Sequence, residues 1–227
     1  MKSMLRMVCT ALVAALALAA VASASALASP EWYVKKKGTW SKVTTAVNVV
    51  SPGTLELNYE NGSEFIHFKC EKGITEGTIN SGGLGTISVF KPSLKAGGCP
   101  VIKEERGFEP CSEIETGEAI NLSWATELYL EGTEKRARIK PHSGGGTPNT
   151  RWTCHGPLGK DTFTCPIETT TRITNVLSLF VEAVFDSKST KVACNGAEKA
   201  NASWKGTLDV KPTEAEKTAG VEAIKVE

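Results

Sequence analysis

Histidine and aspartate are scarce in this sequence of 227 residues, which contains three of each. A serine hydrolase needs a nucleophile, a histidine and an orienting acid, and no Gly-x-Ser-x-Gly motif accompanies His67, His142 or His155. Calcium-binding adhesion modules require loops dense in aspartate and asparagine, which three scattered aspartates do not provide. The composition therefore argues against both classes.

The sequence also lacks an excess of positive or negative charge, since it contains 26 lysines and arginines and 25 aspartates and glutamates. Such a balance gives no electrostatic footprint for nucleic acid and no polybasic patch for a membrane surface. No phosphate-binding loop or dinucleotide fingerprint follows a predicted strand, and the cysteine spacings lack the close pairs of a zinc site. We therefore expect no nucleic-acid partner, no metal ion and no cofactor.

Long apolar runs are absent apart from residues 8–22, which follow the basic residues Lys2 and Arg6 and precede a stretch of small residues. This arrangement is typical of a secretory signal peptide, and the run is shorter than the roughly 20 residues that cross a bilayer. The small-x-small pattern of signal cleavage fits three positions, of which we favour the last: Ala24, Ala26 and Ala28. The sequence thus predicts a signal peptide over residues 1–28, a secreted chain over 29–227, and no membrane span in that chain.

Cysteine use supports an extracellular location. Without Cys9, which lies in the predicted signal peptide, an even number of cysteines remains, and this indicates disulfides in an exported chain. Free buried thiols are the alternative. The spacing favours two local bonds and one long bond: Cys99–Cys111, Cys154–Cys165 and Cys70–Cys194.

Short alternating segments separated by turn residues fill the rest of the sequence. Residues 54–59 alternate with period two, and Ser51-Pro52-Gly53 before them is a turn signal. About twelve such strands predict an all-β protein, an antiparallel and disulfide-stapled sandwich that is immunoglobulin-like or related. We expect one domain in two halves, about residues 29–112 and 113–227.

Two local patterns make further predictions. Residues 176–185 form the longest apolar run after the signal peptide, and their β-branched and aromatic side chains favour one central strand. Thr213 and Glu216 fit a capping box, which predicts a short helix that Gly220 ends.

Aromatic residues supply one candidate binding surface. Trp32, Tyr33 and Trp40 crowd the start of the predicted mature chain, where exposed rings could stack on sugars or anchor a partner. The alternative is that these rings cover one end of the core, since large aromatics mostly pack. Three other tryptophans lie on predicted strands and are core candidates: Trp124, Trp152 and Trp204.

A basic strand supplies a second candidate surface. Alternation over residues 135–140 places Arg136, Arg138 and Lys140 outward, with Ala137 and Ile139 inward. An anionic wall polymer could bind to such a face. The alternative is a solvated face that discourages pairing at a strand edge.

Three sequence features together resemble a group of exported proteins of unknown function from high-GC Gram-positive bacteria. They are the Ala-rich leader, Pro-Glu-Trp-Tyr at 30–33 with Gly-Thr-Trp at 38–40, and Leu-x-Trp-x-Thr-Glu-Leu-Tyr at 122–129. The resemblance covers most of the predicted mature chain. Its motifs are strand residues, so it implies export and carries no activity, cofactor or site.

These observations favour an exported, non-catalytic binding or structural protein of the cell envelope or extracellular space. An envelope glycan or another extracellular protein is the partner that we expect. The alternative is an extracellular hydrolase of glycosides or peptides that uses a glutamate or His155, since glutamates are abundant although none stands out.

Overall fold

A computed structural model describes residues 28–61, 64–91, 113–156, 159–166, 170–177, 179–185 and 201–227 of the chain. Fourteen strands, one short α-helix and one 3-10 helix (Ser81–Gly83) lie in these residues. The strands and the α-helix are β1 (Trp32–Lys36), β2 (Thr39–Lys42), β3 (Val47–Asn61), β4 (Glu64–Ile79), β5 (Leu84–Lys91), β6 (Glu113–Ile120), β7 (Trp124–Glu131), β8 (Glu134–Lys140), β9 (Asn149–Gly156), β10 (Gly159–Pro166), β11 (Thr170–Val176), β12 (Phe180–Phe185), β13 (Asn201–Pro212), α1 (Glu214–Thr218) and β14 (Val221–Val226). The prediction of an all-β protein is therefore confirmed. The predicted signal peptide lies outside the described residues except for Ala28, so it stays a prediction.

Eight of the strands form a closed antiparallel barrel in the order β11-β12-β13-β3-β4-β5-β7-β8. The barrel closes where β8 pairs with β11, with Ala137 opposite Thr171. The prediction of a sandwich is therefore wrong. Closure gives every barrel strand a neighbour on both sides, whereas the two open sheets of a sandwich would leave edge strands unpaired.

The two longest strands, β3 and β4, continue through residues that the sequence predicts as a turn. Ser51-Pro52-Gly53 was predicted as a turn, but these residues lie inside β3 and pair with residues 73–75 of β4. Long-range pairing on both sides of β3 thus overrides a local turn signal. The alternation predicted for residues 54–59 is confirmed, because Leu55, Leu57 and Tyr59 are buried.

Glycine is required where β3 meets β13. A β-carbon at Gly53 would lie 2.0 Å from the carbonyl oxygen of Thr207, and one at Gly206 would lie 2.1 Å from that of Thr54. The register of β3 on β4 also shifts between Gly53 and Leu55. The glycines therefore mark a bulge where two backbones approach closely, which is the usual meaning of glycine inside a strand.

A separate three-stranded sheet, β14-β1-β2, covers one end of the barrel and is called the terminal sheet here. Its last strand is fixed to two barrel hairpins through Val226. Asn175 of β11 donates to the Val226 carbonyl and accepts from the Val226 amide, both at 2.8 Å. Lys135 of β8 donates to the same carbonyl at 2.7 Å. These bonds, together with the buried Val34 and Ile224, hold the sheet against the barrel end.

An aromatic cluster fills the opposite end of the barrel. The ring centres of Phe90 and Trp124 lie 5.4 Å apart, those of Phe90 and Trp204 6.5 Å apart, and those of Trp152 and Trp204 6.0 Å apart. Trp152 comes from β9, in the side sheet β10-β9-β6. The three tryptophans are at most 1% exposed, which confirms the prediction that they belong to the core.

The apolar run at residues 176–185 does not form one strand. Strand β11 ends at Val176, the chain turns, and β12 begins at Phe180. Leu177, with φ of 47°, is 86% exposed, and Leu179 is 58% exposed. Pairing of β11 with β12 requires a turn here, and the sequence supplied apolar residues for it.

The predicted short helix is present, and one of the two hydrogen bonds of its predicted capping box is formed. The Thr213 side chain accepts from the Glu216 amide at 3.4 Å, and α1 ends before Gly220, which has φ of 91°. The Glu216 carboxylate does not complete the box with Thr213 but accepts from Asn48 of β3. This contact ties α1 to the barrel. No helix among the described residues is both long and apolar enough to cross a membrane.

The cysteines require a second correction. Cys70 and Cys165 are buried and are not free thiols, since both take part in disulfide bonds. No two cysteines with described side chains lie at disulfide distance from each other, so none of the three predicted bonds is seen: Cys70–Cys194, Cys99–Cys111 and Cys154–Cys165. Each of these pairs includes a cysteine whose side chain lies outside the described residues. In the described part, strand pairing and packing hold the barrel together.

Candidate functional site

A cavity lies in the interior of the barrel, and we call it the lumen cavity. Each of the eight barrel strands contributes at least one lining residue, among them Val49, Ile139, Ile173 and Leu208. Its volume is about 90 Å³, several times the roughly 10–15 Å³ that one water molecule needs. An eight-stranded barrel is either filled by its own side chains or holds one small ligand, and this one has space left.

Strand alternation places the lining residues. On β8, Ala137 and Ile139 point inward, as predicted, and line the cavity, while Arg138 between them lies on the outside. On β12, Ala183 and Phe185 line it in the same way. The small alanines on two neighbouring parts of the wall help to leave the interior unfilled.

A few hydroxyl groups interrupt the apolar wall. Ser51 of β3 and Thr75 of β4 are opposite each other in the strand register, line the cavity and are 7% and 6% exposed. Neither hydroxyl is hydrogen-bonded within the described part of the chain. Thr171 also lines the cavity, but its hydroxyl already donates to the Ala137 carbonyl at 3.4 Å. Ser51 and Thr75 therefore have capacity for a further polar contact.

Trp32 lies at the end of the cavity that the terminal sheet covers. Its ring lines the cavity and is 5% exposed, while its carbonyl accepts from the Val43 amide at 2.9 Å. The indole Nε1 is buried and has no hydrogen-bond partner among the described residues. A buried N–H without an acceptor costs free energy, so a ligand oxygen here would be stabilising.

The described residues that line the lumen place no charged side chain inside it. None of the lining residues is a lysine, arginine or histidine, and Glu76 is the one acidic residue among them. Glu76 itself is exposed, between the buried Thr75 and Gly77 on β4. The cavity therefore offers hydroxyl and N–H groups without a buried charge.

The predicted aromatic surface is divided between two faces. Trp32 lines the lumen cavity, whereas Tyr33, its neighbour on β1, and Trp40 of β2 lie on the outer face of the terminal sheet. The Lys225 ammonium lies 5.5 Å from the Tyr33 ring centre and 4.6 Å from that of Trp40. The period of two in β1 separates Trp32 from Tyr33, so the three rings do not form one patch.

The predicted basic surface on β8 is engaged in ion pairs. Glutamates from β7 and β8 lie against all three of its cations: Arg136 with Glu131 and Glu134, and Arg138 and Lys140 with Glu127. The hydrogen bond from Lys140, and then that from Arg138, lowers the pKa of the Glu127 carboxyl below its usual value. These pairs offset the positive charge that an anionic polymer would recognise. The binding of an anionic polymer to this face of β8 stays a prediction.

The residues considered for hydrolysis lie away from the cavity. His155 is exposed on β9, and His142 is exposed in the loop between β8 and β9. No group of three metal-ligating side chains was found in the described ranges. Glu76, the one glutamate among the described lining residues, faces outward, so these residues place no carboxylate pair across the lumen.

No family model, curated protein or solved structure matches this chain. The interpretation of the lumen cavity therefore rests on the residues that line it.

Sequence reasoning did not find the lumen residues as a site. Ser51 was interpreted as part of a turn, although Val47, Val49 and Ser51 share one parity and would all point inward if the strand continued. Thr75 lies on β4, but a threonine inside a strand is no signal for a cavity. The site exists only because distant strands close into a barrel.

Proposed function

We propose that this protein is an exported, non-catalytic binding protein that holds a small, mostly apolar molecule inside its barrel. The observation that carries the proposal is the lumen cavity, to which all eight barrel strands contribute. Ligand sites are typically concave and mostly apolar, with a few polar groups that fix orientation. The apolar wall with Ser51, Thr75 and Trp32 fits this description.

The absence of paired catalytic groups from the cavity lining favours binding over hydrolysis. A glycosidase needs two carboxyl groups that face each other across the substrate. The lining has Glu76 alone, and its side chain is exposed on the outer side. We therefore give no preference to the hydrolase alternative that uses a glutamate or His155.

Export is supported by the sequence of residues 1–28, which has the layout of a signal peptide, and by the resemblance to exported proteins. Such a protein acts in the cell envelope or the extracellular space. An envelope glycan or a second protein could still contact the outside of the molecule. Tyr33 and Trp40 on the terminal sheet are the aromatic residues that such a partner would meet first.

Thermal unfolding with a small apolar probe tests the proposal. A ligand that binds only the folded state at 100 times its Kd stabilises it by about 2.7 kcal/mol, which raises Tm by roughly 5–10 °C in a chain of this size. Toluene and octan-1-ol are suitable probes because both are small and mostly apolar. We expect the Tm of the purified protein to rise with probe concentration and to saturate.

A substitution that fills the lumen provides the decisive comparison. Ala183 lines the cavity and is 9% exposed, so Ala183→Phe places a ring in the space that the probe needs. Ala125 lies on β7 between the inward Trp124 and Thr126, and Ala125→Phe adds the same ring outside. Ala183→Phe should abolish the saturable shift and Ala125→Phe should keep it. Equal shifts in both variants, or no shift in the unchanged protein, would refute lumen binding.

A further inference from the structure

We infer that the lumen selects an uncharged apolar molecule that carries a hydrogen-bond-accepting oxygen, such as an alcohol, a ketone or an ester. This inference rests on the proposed function, since it names the chemical class of the ligand for the same cavity. It follows from two properties of the described part of the wall: no cation lines it, and several hydrogen-bond donors in it are unpaired.

The first property excludes a carboxylate ligand. A buried anion must be paired with a cation or with several strong donors, because the loss of its hydration is otherwise not compensated. Among the residues that the structure describes, no lysine, arginine or histidine lines the cavity. The nearest basic strand, β8, points Arg136, Arg138 and Lys140 outward into ion pairs with glutamates. An anionic head group would therefore enter the lumen without a counter-charge.

The second property favours an oxygen on the ligand. Ser51 and Thr75 lie opposite each other on neighbouring strands, and neither hydroxyl is hydrogen-bonded to a described residue. The indole N–H of Trp32 is buried without an acceptor at the covered end of the cavity. A hydrocarbon without oxygen would leave all of these groups unpaired, whereas an alcohol, ketone or ester supplies an acceptor.

Two probes of equal chain length separate the effect of charge from that of size. Octan-1-ol and octanoate differ only in the head group, and octanoate is ionised at pH 7. Calorimetric titration of the purified protein at pH 7 should show octan-1-ol binding and octanoate binding at least about 100-fold more weakly, because the anion is buried without a partner. Equal affinities would overturn the inference but leave lumen binding intact. If neither octan-1-ol nor toluene binds, the proposed function fails as well.

Conservative substitutions test the role of the oxygen. Thr75→Val keeps the shape of the side chain, and Ser51→Ala and Trp32→Phe each remove one donor. Each should weaken octan-1-ol binding about two- to tenfold, the effect of one hydrogen bond, and leave the affinity for toluene unchanged. Ser88→Ala on β5 is the matched control, since Ser88 is exposed and does not line the cavity.

The ratio of the two affinities is informative even if a variant is less stable. A general loss of folded protein lowers the binding of both probes together, whereas loss of a hydrogen bond lowers octan-1-ol binding alone. If Thr75→Val, Ser51→Ala and Trp32→Phe all leave the ratio of octan-1-ol to toluene affinity unchanged, the lumen does not recognise an oxygen and the inference is wrong. A selective loss in any of the three supports it.

Discussion

Removal of the Asn175 side chain should loosen the terminal sheet without unfolding the barrel. Asn175 makes two hydrogen bonds with the Val226 backbone, both of 2.8 Å. At about 1 kcal/mol for each bond, Asn175→Ala lowers the free energy of opening for β14 by about 2 kcal/mol. Lys135 still donates to the Val226 carbonyl, so the sheet stays docked in most molecules.

Hydrogen exchange measures this local effect directly. A loss of about 2 kcal/mol corresponds to an increase of about 30-fold in the exchange rate of β14 amides, when exchange reports the opening equilibrium. Amides in the centre of β3 serve as an internal reference. Thr174→Ala is the matched control, because Thr174 is the exposed neighbour of Asn175 on β11. Unchanged exchange in β14, or an equal increase in β3, would show that the hydrogen bonds between Asn175 and Val226 do not hold the terminal sheet as described.

Three further substitutions address the barrel and its surface. Gly53→Ala places a β-carbon 2.0 Å from the Thr207 carbonyl oxygen and should cost about 1–3 kcal/mol of stability in urea unfolding. Trp204→Ala should cost about 3–5 kcal/mol, because this ring is 1% exposed at the centre of the aromatic cluster. The pKa of Glu127 is lower in the folded protein than its unfolded value of about 4.5, because Lys140 stabilises the carboxylate. The contribution of this ion pair to the free energy of unfolding is therefore present above pH 4.5 and is lost as the pH falls through the folded pKa. Glu127→Gln should therefore cost at most about 1 kcal/mol at pH 7 for such a screened pair, and less in acid.

Each of these variants has a control. Gly145→Ala adds a β-carbon that meets only ordinary or slightly tight contacts, the nearest at 3.2 Å, and should change stability by less than about 0.5 kcal/mol. Trp40→Ala removes a partly exposed ring and should cost much less than Trp204→Ala. For Glu127→Gln the control is pH itself: a cost that does not diminish between pH 7 and pH 3 would rule out the ion pair as its cause.

The parts of the fold that depend on neighbouring residues were predictable. Alternation placed Leu55, Leu57 and Tyr59 inside and the cations of β8 outside, because side chains along a strand point to opposite faces. Thr213 marked the start of α1, since its hydroxyl accepts an amide of the first turn.

The closure of the barrel was not predictable from local patterns. Alternating strands fit a sandwich and a barrel equally well, and the choice depends on which distant strands pair. Here β8 pairs with β11 and β13 pairs with β3, far apart in the chain. The pairing of β3 with β4 also includes Ser51-Pro52-Gly53 in a strand, against the local turn signal.

The candidate site was predictable only in fragments. Trp32 was proposed from the sequence as a binding residue and lines the cavity, although its binding role stays a prediction. It was grouped with Tyr33 and Trp40, which lie on the other face of the terminal sheet. The period of two in β1 could have separated Trp32 from Tyr33. The cavity itself is a property of the closed barrel, because its lining residues come from eight strands and meet only after closure.

The most direct test of ligand binding in the lumen is a nuclear Overhauser measurement between bound toluene and the methyl groups of the protein. Lumen binding predicts contacts from toluene to the methyls of Ala183, Ile173 and Leu208, which line the cavity. Leu177 and Leu179 are the exposed apolar alternative, at the turn between β11 and β12. Contacts to these two leucines alone, with none to the lumen methyls, would contradict the account.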